Sequence, residues 1–125
     1  GTVIGIEGLP ELVKGAEENA RLNKILNVEF AVADLSRSVG LTSAYNSKEP
    51  VDLVLLDPPR NGAAGVMPWV AKTKAKQIIY ISCHPATMIR DAAVLVEAGY
   101  KLAAAGVMDM FPHTSHIEAM ALFEK

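Results

Sequence analysis

Short apolar runs alternate along the chain with longer segments that have helical periodicity. The first run, Val3–Glu7, predicts a strand, and Pro10 after it suits the first turn of a helix. Alternation of this kind is typical of an α/β fold with a parallel, doubly wound sheet, and the last two strands predict an antiparallel edge. The other predicted elements are strands at 28–33, 51–56, 77–82, 100–108 and 117–123 and helices at about 66–72 and 85–98.

The apolar residues also predict which surfaces are buried. The run at 51–56 is almost continuous, as expected for a strand buried on both faces. Gly99 predicts the end of the last helix, while the Gly, Ser, Asn and Pro residues of 36–50 predict a loop. The predicted buried faces of the helices consist of Leu9, Leu12, Val13, Ala16 and Ala20 in the first and Ile89, Ala93 and Val96 in the last.

Composition restricts the class of protein. The 125 residues, 50% of them hydrophobic, make one domain or part of one. Because the sequence begins directly with a predicted strand, we expect it to be a piece of a longer protein. A net charge of −2 predicts no autonomous nucleic-acid-binding surface. If a nucleic acid is the substrate, most contacts to its phosphates would come from elsewhere. The single cysteine excludes an internal disulfide and fits a reducing cytoplasm. No apolar run reaches the roughly 20 residues of a membrane span.

Four of the predicted strands are followed by a residue that is useful for chemistry. These residues are Glu7, Asp34, Asp57 and Cys83. Since ligands of doubly wound sheets bind beyond the carboxyl ends of the strands, the four side chains are candidates for one site. Glu7 is either an acceptor for ribose hydroxyls or a solvated strand end. Asp34 is either an adenine contact or a turn residue or helix cap.

The segment Asp-Pro-Pro-Arg at 57–60 is more specific. Its two prolines fix φ and remove two N–H donors, so they predict a rigid, extended exit from the strand. A carboxylate and a guanidinium on such a loop suit a flat, polar substrate, and a proline-stiffened turn is the alternative. Asp-Pro-Pro is also typical of methyltransferases that act on exocyclic amines. Those usually have an aromatic residue after the prolines, where this chain has Arg60.

Four polar positions lie near the ends of the predicted strands 77–82, 100–108 and 117–123. Cys83 precedes a predicted helix, whose first N–H groups would stabilise a nucleophilic thiolate; the alternative is a small buried hydrophobe. Glu118 opens an apolar strand and is either a partly buried general base or a solvated residue. His113 and His116 have no further cysteine or acidic cluster beside them, so no metal site is predicted.

Three ordered motifs resemble those of the RNA (uracil-5-)-methyltransferases. They are Asp-Pro-Pro-Arg-Asn-Gly at 57–62, Ile-Tyr-Ile-Ser-Cys at 79–83 with Thr87, and Asp-x-Phe-Pro-His-Thr-x-His-x-Glu at 109–118. The likeness runs over essentially the whole chain and is greatest to the bacterial branch that methylates a uridine of 23S ribosomal RNA. It implies a Rossmann-like fold of S-adenosylmethionine-dependent methyltransferases that lacks, in this sequence, the first strand and its glycine loop.

The resemblance implies a covalent mechanism. Cys83 would be the nucleophile that attacks uracil C6, and Glu118 would be the base that removes the C5 proton. Arg60 could stabilise charge on a uracil oxygen. RNA would be the partner of the full-length protein, with 23S rRNA favoured over tRNA, and a 4Fe–4S cluster would bind cysteines upstream of this chain. The implied contacts to S-adenosylmethionine are Glu7, Asp34 and Asp57.

Two departures from the family leave alternatives open. The family has Asn after the nucleophilic cysteine, where this chain has His84, and His caps a helix less well. The upstream strand, glycine loop and RNA-binding barrel of the family do not lie in this sequence, so we expect the isolated chain to be inactive and its open strand edges to favour self-association. An exocyclic-amine methyltransferase and a catalytically silent fragment are the alternatives.

Overall fold

The computed structural model describes residues 1–36, 41, 45 and 50–125 of the chain. The chain divides into two units, Gly1–Lys48 and Glu49–Lys125, each held together by its own internal contacts. Most of the predicted loop at 36–50 lies outside the described residues.

The first unit is a βαβ arrangement. Strands β1 (Val3–Glu7) and β2 (Val28–Val32) pair in parallel and are connected through helix α1 (Pro10–Leu22), close to the predicted boundaries. Gly5 lies opposite Phe30, and a Cβ added to it would meet the Phe30 ring at 2.6 Å. The aromatic ring therefore occupies the space that any larger residue at position 5 would need.

Helix α1 buries less of its apolar stripe than the sequence predicts. Val13 is buried, but Leu12 is 53% exposed and Leu9 is exposed as well. The prediction is therefore wrong for these two leucines. Among its described residues, the sheet of this unit has two strands. It therefore offers α1 a surface narrower than the apolar stripe of the helix.

The second unit is a four-stranded sheet with two helices. Its elements are β3 (Leu53–Leu56), α2 (Met67–Thr73), β4 (Gln77–Ser82), α3 (Pro85–Glu97), β5 (Lys101–Met108) and β6 (Glu118–Glu124). β3 and β4 are parallel, whereas β6 is antiparallel to both β4 and β5. The order β3-β4-β6-β5 confirms the antiparallel end of the sheet. The last strand, β6, lies between β4 and β5, and β5 forms the edge.

The core of the second unit lies on one face of this sheet. Leu55 of β3 is 61% exposed and Leu53 is exposed as well, so the prediction that the 51–56 run is buried on both faces is wrong. Alternate residues of β4 and β6 are fully buried, which shows that one face of these strands is covered more completely than the other. The buried side chains on that face and on the helices include Ile78, Tyr80, Phe123, Met67, Val70 and Leu95.

Helix α3 turns a different face to the core from the one that its apolar residues predict. Ile89 is 70% exposed and Val96 is 57% exposed, while Asp91 and Leu95 are buried. The predicted face of Ile89, Ala93 and Val96 is therefore wrong. The apolar pattern predicts that acidic residues face solvent. Here the Asp91 carboxylate is buried in the core, because neighbouring groups donate hydrogen bonds to it.

The described helices of the two units are short. α1, α2 and α3 have 13, 7 and 13 residues, compared with the roughly 20 that a bilayer requires. Among the residues that the structure describes, no helix has the length and apolar character needed to cross a membrane.

Candidate active site

Cys83 and Glu118 lie at the same end of two neighbouring strands. The antiparallel ladder between β4 and β6 ends with Ser82 opposite Ala119, and the next residue outward on each strand is Cys83 or Glu118. The register thus brings a thiol and a carboxylate, each one step past the last pair, to one edge of the sheet. Both residues are half-buried.

The loop after β3 reaches the same edge, because β3 and β4 are parallel. The N–H of Gly62 donates to the carbonyl of Pro59 at 2.8 Å and closes a turn. The φ of Gly62 is +82°, a conformation that glycine adopts without strain. The exposed side chains of Asp57 and Arg60 form no hydrogen bond or ion pair with another described residue. Both charges are therefore available to a ligand.

A buried carboxylate that the sequence pattern does not predict holds this loop. Asp91 of α3 is 1% exposed, and its Oδ2 accepts hydrogen bonds of 2.6 Å from the N–H of Ala63 and from the Tyr80 hydroxyl. Its Oδ1 accepts from Arg90 Nε at 2.9 Å and from Nη2 at 2.7 Å. Arg90 Nη2 also donates to the carbonyl of Asn61 at 3.0 Å. The available signal is an Arg-Asp pair set among the apolar residues in the middle of the helix.

Tyr80 and Thr87 complete the connection between the loop, β4 and α3. Burial, together with the hydrogen bond to Asp91, raises the pKa of Tyr80 well above its ordinary value, so its hydroxyl keeps the proton that it donates. The Thr87 hydroxyl lies 2.8 Å from the carbonyl of His84 and 3.3 Å from that of Arg60. Thr87 therefore bridges the start of α3 and the residue that carries the free guanidinium.

His84 occupies the N-cap position of α3 without capping it. Its side chain accepts no hydrogen bond from the helix start, and its Nδ1 is buried without a hydrogen-bond partner among the described residues. The backbone N–H of His84 instead donates to Ser82 Oγ at 3.0 Å. The side chain of His84 thus supplies no hydrogen-bonded cap to α3.

In the first unit, Glu7 and Asp34 lie at the carboxyl end of the parallel pair β1 and β2. The N–H of Ala33 donates to the Glu7 carbonyl at 3.0 Å, which joins the two strand ends. Glu7 Oε1 accepts from the N–H groups of Gly8 at 2.7 Å and of Leu9 at 3.1 Å. Asp34 Oδ1 accepts from Ser36 N at 2.9 Å and Oγ at 2.6 Å, the geometry of a turn residue. The structure thus fixes each carboxylate by its local backbone.

The loop between β5 and β6, residues 109–117, is held by its own atoms. Thr114 donates to the carbonyl of Phe111 from its N–H at 3.2 Å and from its hydroxyl at 2.7 Å. The N–H of His116 donates to the Thr114 hydroxyl at 3.2 Å, and its ring stands edge-on to the Phe111 ring. His113 has a φ of +65°. All nine residues are exposed, and the loop ends directly before Glu118.

Two curated relatives match nearly the whole chain. The 23S rRNA (uracil(1939)-C(5))-methyltransferase RlmD of Acinetobacter baylyi is 50% identical over 125 residues, covering 100% of this chain and 27% of the relative. RlmD of Aeromonas salmonicida is 52% identical over 124 residues, covering 98% of this chain and 28% of the relative. The chain therefore spans less than a third of the length of these relatives.

A solved structure and a family model agree with these relatives. The Pyrococcus abyssi tRNA (uracil-54, C5)-methyltransferase in complex with S-adenosyl-L-homocysteine has a TM-score of 0.78 and 30% identity, covering 98% of this chain and 28% of that one. The Rossmann-like methyltransferase fold is thereby confirmed. The model of the tRNA (uracil-5-)-methyltransferase family matches residues 11–125. The chain belongs to the tRNA (uracil-5-)-methyltransferase family.

Proposed function

We propose that this chain is part of an enzyme that transfers a methyl group from S-adenosylmethionine to C5 of a uridine in RNA. The observation that carries the proposal is the register of β4 and β6, which brings Cys83 and Glu118 to one end of adjacent strands. 23S rRNA is the favoured substrate because relatives about half identical to the chain carry that activity in their names. With this substrate, the reaction would take place in the cytoplasm.

The nucleophilic step belongs to Cys83. Uracil C5 is a weak nucleophile, and attack of the Cys83 thiolate on C6 forms an S–C6 bond while the ring π electrons move towards the C4 oxygen. The resulting enolate makes C5 electron-rich enough for methylation. S-adenosylmethionine, when bound, supplies the electrophilic methyl group. The exposed Arg60 guanidinium, which has no described partner, is suited to stabilise the negative charge on the uracil oxygen.

The second half of the reaction belongs to Glu118. After methylation, C5 carries both a hydrogen and the methyl group. The Glu118 carboxylate takes the C5 proton, the C5–C6 double bond forms again, and the S–C6 bond breaks to return the thiolate. A half-buried carboxylate one step beyond the end of the β4–β6 ladder is suited to this task.

The acidic side chains are suited to hold S-adenosylmethionine. Glu7 has one oxygen fixed by backbone N–H groups, and its second oxygen receives no hydrogen bond from a described residue. It can therefore accept from ribose hydroxyls, while Asp34 and Asp57 supply further contacts at the ends of their strands. The residues do not fit a 4Fe–4S cluster, which needs four cysteines, because the chain has one cysteine.

We infer that the 125 residues act within a longer protein and are inactive alone. The relatives are more than three times as long, and a net charge of −2 provides no general attraction to RNA phosphates. The exposed Leu53 and Leu55 on the open face of β3 favour self-association of the isolated chain. Calorimetric titration of the isolated chain tests this inference. Micromolar, one-to-one binding of S-adenosylmethionine would contradict it.

Covalent trapping tests the enzyme proposal. Fluorine at C5 cannot leave as a proton does, so RNA containing 5-fluorouridine at the target should be methylated and then remain bound to Cys83. The full-length enzyme should show this adduct on a denaturing gel, and Cys83→Ala should not. The same RNA with unmodified uridine is the control. An adduct of equal intensity with Cys83→Ala would overturn the assignment of the nucleophile.

A further inference from the structure

Asp91 connects three parts of the second unit through one carboxylate. Oδ2 accepts from the backbone of Ala63, just after the 57–62 loop, and from Tyr80 on β4, which leads to Cys83. Oδ1 accepts from Arg90, which itself donates to the carbonyl of Asn61. The loop that carries Arg60 is thus joined to the strand that carries the nucleophile.

We propose that Asp91 is a positioning residue, which holds the 57–62 loop at a fixed distance from the β4 strand end and thereby places Arg60 relative to Cys83. The inference rests on the proposed function and deepens it. In this role Asp91 controls the geometry of the reaction from α3 without touching RNA or cofactor. A misplacement of about 1 Å in a catalytic group can lower a rate by roughly a hundredfold.

The cost of burying a carboxylate supports a role beyond stability. Removing an ion from water is unfavourable, and apolar residues of similar volume often stabilise a core as well or better. Leu95, one turn further along the same face of α3, is apolar and fully buried. A carboxylate here gains two acceptor oxygens with fixed directions, which an apolar side chain lacks. The raised pKa of Tyr80 keeps one of its donors protonated.

The loop and α3 also approach each other more closely than a side chain would allow. A Cβ on Gly62 would lie 2.6 Å from Asp91 Oδ2 and 2.7 Å from Arg90 Nη2. Gly99 has a similar φ, +93° compared with +82°, but a Cβ there would meet nothing within 4 Å. The two glycines form a matched pair. Alanine at either position strains the backbone, and only alanine at position 62 displaces the carboxylate and guanidinium that hold the loop.

The experiment measures methyl transfer by the full-length enzyme over a range of RNA concentrations at saturating S-adenosylmethionine. The kcat is normalised by the amount of 5-fluorouridine adduct. Asp91→Ala and Gly62→Ala should lower kcat by about tenfold or more with less change in the KM for RNA. Asp91→Asn restores one acceptor oxygen for Ala63 and Tyr80 and should recover part of the rate. Leu95→Ala, a buried truncation one turn further along α3, and Gly99→Ala should keep kcat within about threefold once normalised.

Hydrogen exchange separates this proposal from the proposed function. Exchange of the Ala63 amide, followed by mass spectrometry, should be faster in Asp91→Ala than in Leu95→Ala. Unchanged exchange, or a normalised kcat equal in Asp91→Ala, Asp91→Asn and Leu95→Ala, would overturn the positioning role. Faster exchange in Asp91→Ala, in an enzyme whose wild type forms no adduct, would overturn the proposed reaction and leave Asp91 as the residue that holds the loop.

Discussion

The two loops that reach the end of the second unit's sheet are held in different ways. The 57–62 loop is fixed from outside by Asp91, Arg90 and Thr87 of α3. The 109–117 loop is exposed throughout, and its side-chain hydrogen bonds within the described residues join only its own members. The first loop presents Arg60, an exposed guanidinium without a partner among the described residues. The second loop connects β5 and β6 and ends at Glu118, whose backbone is fixed by pairing with β5. Hydrogen bonds from another element are thus found at the loop that carries a charged side chain with no strand pairing to fix it.

The largest expected effect concerns the residue at which the second loop ends. Glu118→Gln in the full-length enzyme should still attack and methylate uridine but fail to remove the C5 proton. Turnover should fall by roughly 10²–10⁴-fold, the usual contribution of a general base, and RNA should accumulate as a covalent complex. A denaturing gel combined with steady-state rates measures both.

The matched control for this variant lies at the other end of the same strand. Glu124→Gln removes an exposed carboxylate that pairs with Gln77, so it should turn over normally and trap no RNA. Normal turnover by Glu118→Gln would rule out its role as the base, and the second loop would then serve another purpose.

A pair of stability measurements compares the support of the two loops directly. Tyr80→Phe removes a buried hydroxyl from the Asp91 carboxylate and should lower the free energy of unfolding by about 1–3 kcal/mol, as for hydrogen bonds to charged groups. Thr114→Val removes the two hydrogen bonds of the exposed Thr114 hydroxyl within the 109–117 loop. It should lower the free energy of unfolding by less than about 0.5 kcal/mol. Urea unfolding measures both, and equal costs would show that the two loops are supported alike.

A smaller effect is expected at the start of the helix that holds the first loop. His84→Asn supplies a side-chain oxygen that can accept from the first turn of α3, and it removes the buried Nδ1 that has no described partner. The variant should gain about 1 kcal/mol in the free energy of unfolding. His84→Ala, which removes the unpaired nitrogen without adding a cap, is the control. No difference between the Asn and Ala variants would show that the cap contributes nothing.

The smallest effect appears only at high pH. Because the pKa of Tyr80 is raised in the folded chain, its contribution to stability is complete below the ordinary tyrosine pKa of about 10 and decreases as the pH rises beyond it. Urea unfolding at about pH 9 and pH 11 should therefore show a larger loss for the wild type than for Tyr80→Phe. Parallel losses would show that Tyr80 is not the group concerned.

The sequence predicts the elements of this fold better than their contacts. Strands such as Gln77–Ser82 follow from local apolar runs, and the helix ends at Gly99 because glycine adopts a positive φ easily. Cys83 and Glu118 lie at the same end of neighbouring strands because β6 pairs with β4. No local pattern specifies this pairing over one in which β6 lies at the edge beyond β5. The motifs that carry Cys83 and Arg60 are visible in the sequence.

The sequence pattern does not reveal Asp91, for a different physical reason. An acid in a helix is usually solvated, so the pattern predicts that Ile89 and Val96 face the core, and both are exposed. Its donors come from an arginine beside it, a tyrosine on another element and a backbone N–H on a third. Such a set is assembled only by the tertiary structure, so its stabilising effect cannot be read from the helix alone.

The position of β6 inside the sheet has a consequence for the order in which the protein is made. During synthesis Cys83 leaves the ribosome before β5 and β6, and β4 cannot form its antiparallel ladder until β6 has followed. Pairing between strands that are distant in sequence is also slow to form. The nascent chain therefore carries the Cys83 thiol for some time before the strand that holds Glu118 has paired with β4.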